Sequence, residues 1–289
     1  MYFNEVTLLI THYNRSLSLE RLLKSFNKLN CHFEDIVVSD DGSNQEHLSH
    51  LLKLQEVYNF QLITAPENKG LGSNINKGQD AVRTLYTLYV QEDFVPKPLF
   101  KLKFYEALEC LRDNPELDMA RFYAYFKYPY LKPYKHGFSE MTFSAMPWYW
   151  GYRKFYYYSD HPHLRRSSFF QKFGRYHEGI KVERTEYRMM FSFLQQRGRA
   201  LFFDNFQDLF EQVNTSFEPS TVTRNKWRDS GNLLVLLMRE FYRYIRFHYD
   251  LYFTPSKSNK QVEIPREEIA DVLENLLTTK TIDSKVSYK

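Results

Sequence analysis

Short apolar runs alternate with helix-spaced stretches through the first third of the chain, and most of the runs end in a polar cluster. Residues 6–11 form the first run, and residues 17–29 then place Leu19, Leu22, Leu23 and Phe26 on one helical face. A second run at 35–39 stops at Asp40-Asp41-Gly42-Ser43. A helix is predicted around 47–58, a strand at 60–64 and a helix at 73–85. A strand at 85–90 follows, closed by Gln91-Glu92-Asp93. Strand and helix in alternation predict an α/β fold, a mainly parallel central sheet flanked by helices. Ligands of such sheets bind beyond the carboxyl ends of the strands, which is where these polar clusters fall.

Beyond that the character changes. Residues 121–158 are dense in Tyr, Phe, Trp and Pro, within a chain that is 18% aromatic with 23 Tyr and 25 Phe. Tyrosine offers an apolar face and a hydroxyl, suited to sugar rings and to wet interfaces alike. Helices are predicted at 166–173 and 183–197, separated by a turn at Gly174, with a strand at 201–203. Residues 214–228 read as a polar, basic loop. In the helix predicted at 232–253, Arg239, Arg243, Arg246 and Asp250 make one narrow polar stripe. The rest of its surface needs cover, from the catalytic body, a membrane interface or a second copy in a homodimer. One further helix is predicted at 266–277.

A net charge of +4 attracts anions mildly. The basic residues form no continuous patch in sequence, so no nucleic-acid partner is expected. Cys31 and Cys110 have neither metal-ligand spacing nor a disulfide framework, which predicts a reducing compartment. No leader pattern and no apolar stretch of ~18 residues is found. A cytoplasmic location is therefore expected, with contact at the inner face of the cell membrane left open.

Three clusters carry candidate chemistry. Thr11-His12-Tyr13-Asn14-Arg15 and Asp40-Asp41-Gly42-Ser43 follow the first two strands. A carboxylate at a strand end can accept a hydrogen bond from a base N–H or a ribose hydroxyl, although Asp-Asp-Gly-Ser alone is an ordinary turn. The stretch 68–78, Asn-Lys-Gly-Leu-Gly-Ser-Asn-Ile-Asn-Lys-Gly, sets glycines before a helix, where amides can face a phosphate. It is neither a P-loop nor a dinucleotide fingerprint. Gln91-Glu92-Asp93-Phe94-Val95-Pro96 offers acidic oxygens for Mg²⁺ or Mn²⁺, or is a solvated acidic turn.

Taken together, in this order and spacing, Thr11 to Arg15, Val37 to Ser43, Asn68 to Gly78 and Gln91 to Pro96 resemble the family 2 glycosyltransferases with the GT-A fold. That resemblance implies a GT-A-like nucleotide-diphospho-sugar transferase fold. The catalytic domain would span 1–213, with a nucleotide-sugar half at 1–100 and an acceptor half at 101–213. A basic loop and helical C-terminal extension would occupy 214–289. It implies inverting transfer of a hexosyl or N-acetylhexosaminyl group from a nucleotide-diphosphate donor, a UDP-sugar first among them. The receiver would be a hydroxyl of a saccharide or lipid-linked saccharide in bacterial surface polysaccharide synthesis.

By the same likeness Thr11, Tyr13, Asn14, Arg15, Asp40, Asp41, Asn68, Gly70 and Asn76 would hold the nucleotide. Asp93, with Glu92, would hold Mn²⁺ or Mg²⁺. Glu186 would be the base, with Glu183 in reserve, and Glu178, Trp148 and Trp150 would meet the acceptor. Read from the residues alone, Arg224, Lys226 and Arg228 either close over the diphosphate or form a solvated basic loop, and His161 and His163 are either candidates for the metal or diphosphate or plain loop residues. Three departures matter. Gln91 takes the first acidic position of its motif, Ile75 stands where relatives carry an arginine (leaving Lys69 or Lys77), and Tyr187 replaces an aspartate beside Glu186. Gln91 and Tyr187 also suggest a rival, a catalytically weak or inactive carbohydrate- or nucleotide-binding protein on the same fold. A nucleotidyltransferase is disfavoured, because no Gly-rich basic loop directly follows the first strand.

Overall fold

In the computed structural model, the described residues are 1–146, 148–214, 218 and 233–254, all within one unit, residues 1–257. The predicted basic cluster Arg224, Lys226 and Arg228 and the helix predicted at 266–277 lie outside the described residues.

The chain runs β1 Tyr2–His12, α1 Ser16–Lys28, β2 His32–Asp40, α2 Gln45–Tyr58, β3 Gln61–Ile63, α3 Leu71–Asp80 and β4 Tyr86–Gln91. It continues through β5 Phe94–Pro96, α4 Phe100–Asp113, β6 Met119–Arg121, β7 Leu131–Pro133, β8 Phe138–Met141 and β9 His163–Arg166. The last elements are α5 Phe169–Phe173, α6 Val182–Gln195, β10 Ala200–Phe203, β11 Phe210–Gln212 and α7 Leu233–Phe253. Nine strands form one sheet in the order β3-β2-β1-β4-β9-β6-β10-β8-β7, and β5 pairs with β11 in a small second sheet. β1, β2, β3 and β4 pair parallel, as do β6 and β10, while β9 runs antiparallel between β4 and β6. β8 runs antiparallel to both β10 and β7, so the observed architecture is an α/β fold whose large central sheet is parallel through β3-β2-β1-β4 and mixed beyond it.

Local chemistry explains the N-terminal half. Leu19, Leu22, Leu23 and Phe26 bury the face of α1 that the spacing predicted. Asn44 caps α2 by accepting the His47 N–H at 3.2 Å. Gly42 has φ +73°, and a Cβ there would stand 2.4 Å from the Glu67 carbonyl carbon, so the turn after β2 admits only glycine. Gly78 lets α3 lie on the sheet, since a Cβ would meet Leu9 Cδ1 at 2.6 Å.

Differences appear where long-range pairing overrides local pattern. The helix predicted at 166–173 is helical only from Phe169, because Arg166 ends β9. β9 carries Arg165 fully buried, held by Gln79 Oε1 at 2.7 Å and the Tyr176 hydroxyl at 3.2 Å, with the Phe169 ring 4.9 Å away. A charged residue in a central strand contradicts any periodicity rule, and only these distant partners make it tolerable. The predicted sequence elements also omit α4, which buries Phe100, Phe104, Ala107, Leu108 and Leu111.

α7 inverts its predicted arrangement. Its polar stripe borders the protein body: Arg243 donates to the Tyr152 hydroxyl at 3.0 Å, and Asp250 accepts from the Tyr187 hydroxyl. Phe247 is buried among Tyr152, Phe155, Tyr187 and Phe191. Met238, Phe241, Tyr242, Ile245, Tyr249, Tyr252 and Phe253 are exposed instead. No described helix is long and apolar enough to cross a membrane.

Candidate active site

Beyond the carboxyl ends of β1 and β4 lies a cavity of about 580 Å³. The end of β1 contributes Thr11, and the loops after β1, β2 and β3 contribute Tyr13, Arg15, Asp41, Asn68 and Gly70; the end of β4 brings Gln91, with Glu92 and Asp93 just beyond it. From later in the chain come Tyr125, Asp160, His161, Glu183, Glu186 and Gln212.

The two aspartates after β2 have separate places. Asp40 is fully buried, accepting from His12 Nδ1 at 2.8 Å and from the Ser43 amide at 3.0 Å and hydroxyl. Burial pushes its carboxyl up, but these hydrogen bonds outweigh burial and hold it below its ordinary value. The Arg15 amide donates to His12 Nε2 at 3.2 Å, so the imidazole proton sits on Nδ1. Asp40 thus joins the β1 and β2 loops and does not line the cavity. Asp41 does line it, accepting the Lys69 and Gly70 amides at 3.0 and 2.9 Å. It ties the 68–70 turn to β2, beside Thr11, whose hydroxyl pairs with that of Tyr89 at 3.0 Å.

Asp93 Oδ2 lies 3.2 Å from the Arg15 guanidinium and accepts from Gln212 Nε2 at 2.9 Å. Asp93 Oδ1 is buried without a hydrogen-bond partner among the described residues. Glu92 is 3.6 Å from Arg15, and burial together with the Asp93 charge pushes its carboxyl up to about 8. Among the described residues no cluster of three or more His, Cys, Asp or Glu is arranged around one metal position. An orphaned Asp93 oxygen beside Glu92 nevertheless fits Mn²⁺ or Mg²⁺, which one or two carboxylates can hold when phosphate and water oxygens complete the shell.

On α6, Glu186 and Glu183 face the cavity. Glu186 Oε1 accepts the Asp160 amide at 3.2 Å. Burial, then the Asp160 charge, raise its carboxyl to about 7. Tyr187 does not line the cavity: its ring packs 5.2 Å from Phe247 and its hydroxyl bonds Asp250. α7 therefore braces the helix that carries Glu186.

Other predicted residues lie around this centre. Asn14, at φ 51°, binds the loop after β2 by accepting the Asn44 amide at 2.8 Å. Asn76 donates to the Tyr176 carbonyl at 2.9 Å and to Glu178 Oε1 at 2.7 Å, so Asn76 and Glu178 pair with each other outside the cavity lining. Lys77 spends its ammonium on the Asp40 carbonyl, and Ile75 is a core residue. Trp148 and Trp150 are 73% and 67% exposed and do not line the cavity; Trp150 stacks on Tyr244 of α7 at 4.9 Å. His163 is buried in β9, and burial lowers its imidazole well below the ordinary value. His161 lines the cavity, its imidazole lowered to about 3 by burial and then by Arg121, so it is neutral there. Asp160, Tyr125 and Gln212 escaped sequence reasoning. Each lies in a stretch without periodicity, and no local pattern distinguishes it.

Known proteins resemble this chain at three levels. A cholesterol galactosyltransferase of Borreliella burgdorferi (strain ATCC 35210 / DSM 4680 / CIP 102532 / B31) is 25% identical over 123 residues, which is 42% of this chain. The match spans about a third, 34%, of that relative's length. The crystal structure of S. aureus TarS 1-349 in complex with UDP-GlcNAc superposes with a TM-score of 0.54 at 13% identity, covering 91% of this chain and 77% of that one. The mannosyltransferase PcManGT of Pyrobaculum calidifontis, in complex with GDP-Man and Mn²⁺, gives 0.52 at 11% identity over 90% of this chain and 67% of that one. These likenesses establish the GT-A fold. The family model for Glycosyl transferase family 2 matches residues 7–174, more than half of the chain, and the chain belongs to that family.

Proposed function

We propose that the chain is an inverting glycosyltransferase that moves a sugar from a nucleotide diphosphate, a UDP-sugar first among them, to a saccharide or lipid-linked saccharide hydroxyl. One observation carries this reading: a single cavity joins Asp41 and the 68–70 turn, the Asp93–Glu92 pair and Glu186. In this reading Thr11, Tyr13, Asp41, Asn68 and Gly70 bind the nucleoside and its phosphates. Asp93 and Glu92 would hold Mn²⁺ or Mg²⁺, which when bound neutralises charge gathering on the departing diphosphate.

The chain's own chemistry is proton transfer and positioning. Glu186 takes the proton of the acceptor hydroxyl as that oxygen bonds to the anomeric carbon. The carbon–oxygen bond to the diphosphate breaks, the diphosphate leaves with the electron pair, and the sugar configuration inverts. Arg15 holds Asp93 and Glu92 in place. The exposed aromatic residues of α7, with Trp150 stacked on Tyr244, support a lipid surface as the place where a lipid-linked acceptor is met. That surface would be the inner face of a bacterial cell membrane during surface polysaccharide synthesis.

The experiment is a panel of UDP-galactose, UDP-GlcNAc and GDP-mannose with Mn²⁺, read as nucleotide release with and without saccharide acceptors. Acceptor-dependent release is expected from one donor. Tight donor binding with no release from any would instead support the silent binding protein that Gln91 and Tyr187 suggest.

A further inference from the structure

One buried acid of the cavity has no task in that scheme. Asp160 precedes β9 and is 4% exposed. Its Oδ1 is held by the Tyr158 and Tyr176 hydroxyls at 2.8 and 3.0 Å. Its Oδ2 is buried and finds no hydrogen-bond partner among the described residues, although Asp160 lines the cavity. Its main-chain amide donates to Glu186 Oε1 at 3.2 Å, so the backbone that carries Asp160 is tied to the Glu186 carboxylate across two elements. A carboxylate oxygen left unpaired in a buried wall is costly, unless a ligand completes it.

We propose that Asp160 is a second substrate-touching carboxylate of this site, whose Oδ2 accepts a hydrogen bond from a hydroxyl of the acceptor saccharide and so holds that acceptor against Glu186. The inference rests on the glycosyltransferase reading. The main-chain bond to Glu186, on a cavity wall that both residues line, assigns Asp160 to the molecule the base touches rather than to the nucleotide. The countercharge is already present in Arg121 and Arg165, which interact with Glu186 and Asp160 respectively, so the open oxygen suits a neutral hydroxyl better than a cation. The charge of Asp160 also raises Glu186, with Glu183 adding in the same direction and Arg121 opposing. Tyr125 and His161 are further neighbours on the cavity wall.

The test is Asp160→Asn, which keeps the shape and an Oδ1 acceptor, assayed with the donor that turns over in the panel above. UDP affinity with Mn²⁺, by calorimetry, is expected within about twofold of wild type. Acceptor kcat/KM should fall at least about tenfold, mostly through KM. The acidic limb of the rate profile should move to lower pH, because Glu186 loses a like charge. Should Asp160→Asn unfold, Tyr176→Phe decides the matter: it keeps the charge but removes one anchor, raising acceptor KM several-fold with the acidic limb in place. Unchanged acceptor KM and an unmoved limb in Asp160→Asn overturn the inference, as does an unchanged KM in Tyr176→Phe when that variant must stand in. A wild type that binds neither UDP nor GDP and releases no nucleotide sinks the glycosyltransferase reading itself, and the inference with it.

Discussion

Asp93 offers the cavity a buried oxygen without a partner, beside a Glu92 carboxyl raised to about 8 by burial and then by Asp93. A cation binding there must displace the Glu92 proton, so Mn²⁺ affinity in the presence of UDP should strengthen as pH rises from 6 to 8. Asp93→Asn should weaken that affinity and cut transfer at least about a hundredfold, with the melting temperature nearly unchanged. Calorimetry and nucleotide release measure both, and full activity of the variant would remove Asp93 from the metal. Glu186 works as a base only when ionised, and burial followed by the Asp160 charge raises it to about 7. The acceptor kcat/KM should therefore fall as pH drops through about 7. Glu186→Gln should lose roughly 10²–10⁴-fold and flatten that limb, and a variant that keeps the limb would show another group taking the proton. At this scale the sequence was partly legible. Four motifs pointed to the cavity, but nothing local separated Asp40, which is spent on His12 and Ser43, from Asp41, which faces the ligand space.

Elements set these side chains by close approach. The turn after β2 passes so near Glu67 that Gly42, at φ +73°, has room for hydrogen only. Gly42→Ala should destabilise the fold by ~1–3 kcal/mol from the left-handed backbone alone, and more if the 67–70 turn must shift. Thermal melting should drop by several degrees and donor affinity should weaken with it, since Asp41 holds the Lys69 and Gly70 amides. A variant that melts like wild type would show that this turn gives way freely. The helix α6 is placed by packing instead: Tyr187 meets Phe247 and Asp250 of α7, and Gln195 donates to the Leu251 carbonyl at 2.9 Å. The elements β1 to β4 were readable because apolar runs and turn residues lie within a few positions of each other. β9 was not, because a buried Arg165 makes sense only with Gln79 and Tyr176 in place.

Across the whole molecule, α7 presents Met238, Phe241, Tyr242, Ile245, Tyr249, Tyr252 and Phe253 outward, with Trp148 and Trp150 also exposed. Glu240 and Arg246 are exposed on the same helix, and the net charge is +4. Aromatic rings flanked by arginine suit the headgroup region of an anionic bilayer. The full chain should co-sediment with phosphatidylglycerol vesicles, and the triple change Phe241→Ser, Ile245→Ser and Tyr249→Ser should leave it in the supernatant with transfer to a soluble acceptor intact. A chain that ignores vesicles and runs as a dimer by light scattering would assign this face to a second copy.

The sequence by itself determined the α/β layer, the order of the motifs and the strand ends where they gather, because hydrophobic period and turn chemistry act over a few neighbouring residues. The tertiary structure alone decided which carboxyl groups share the cavity, which face of α7 is docked, and that Asp160 stands one hydrogen bond from Glu186. Burial and electrostatic pairing depend on groups distant in the chain, and these come together only when the sheet has closed over its core.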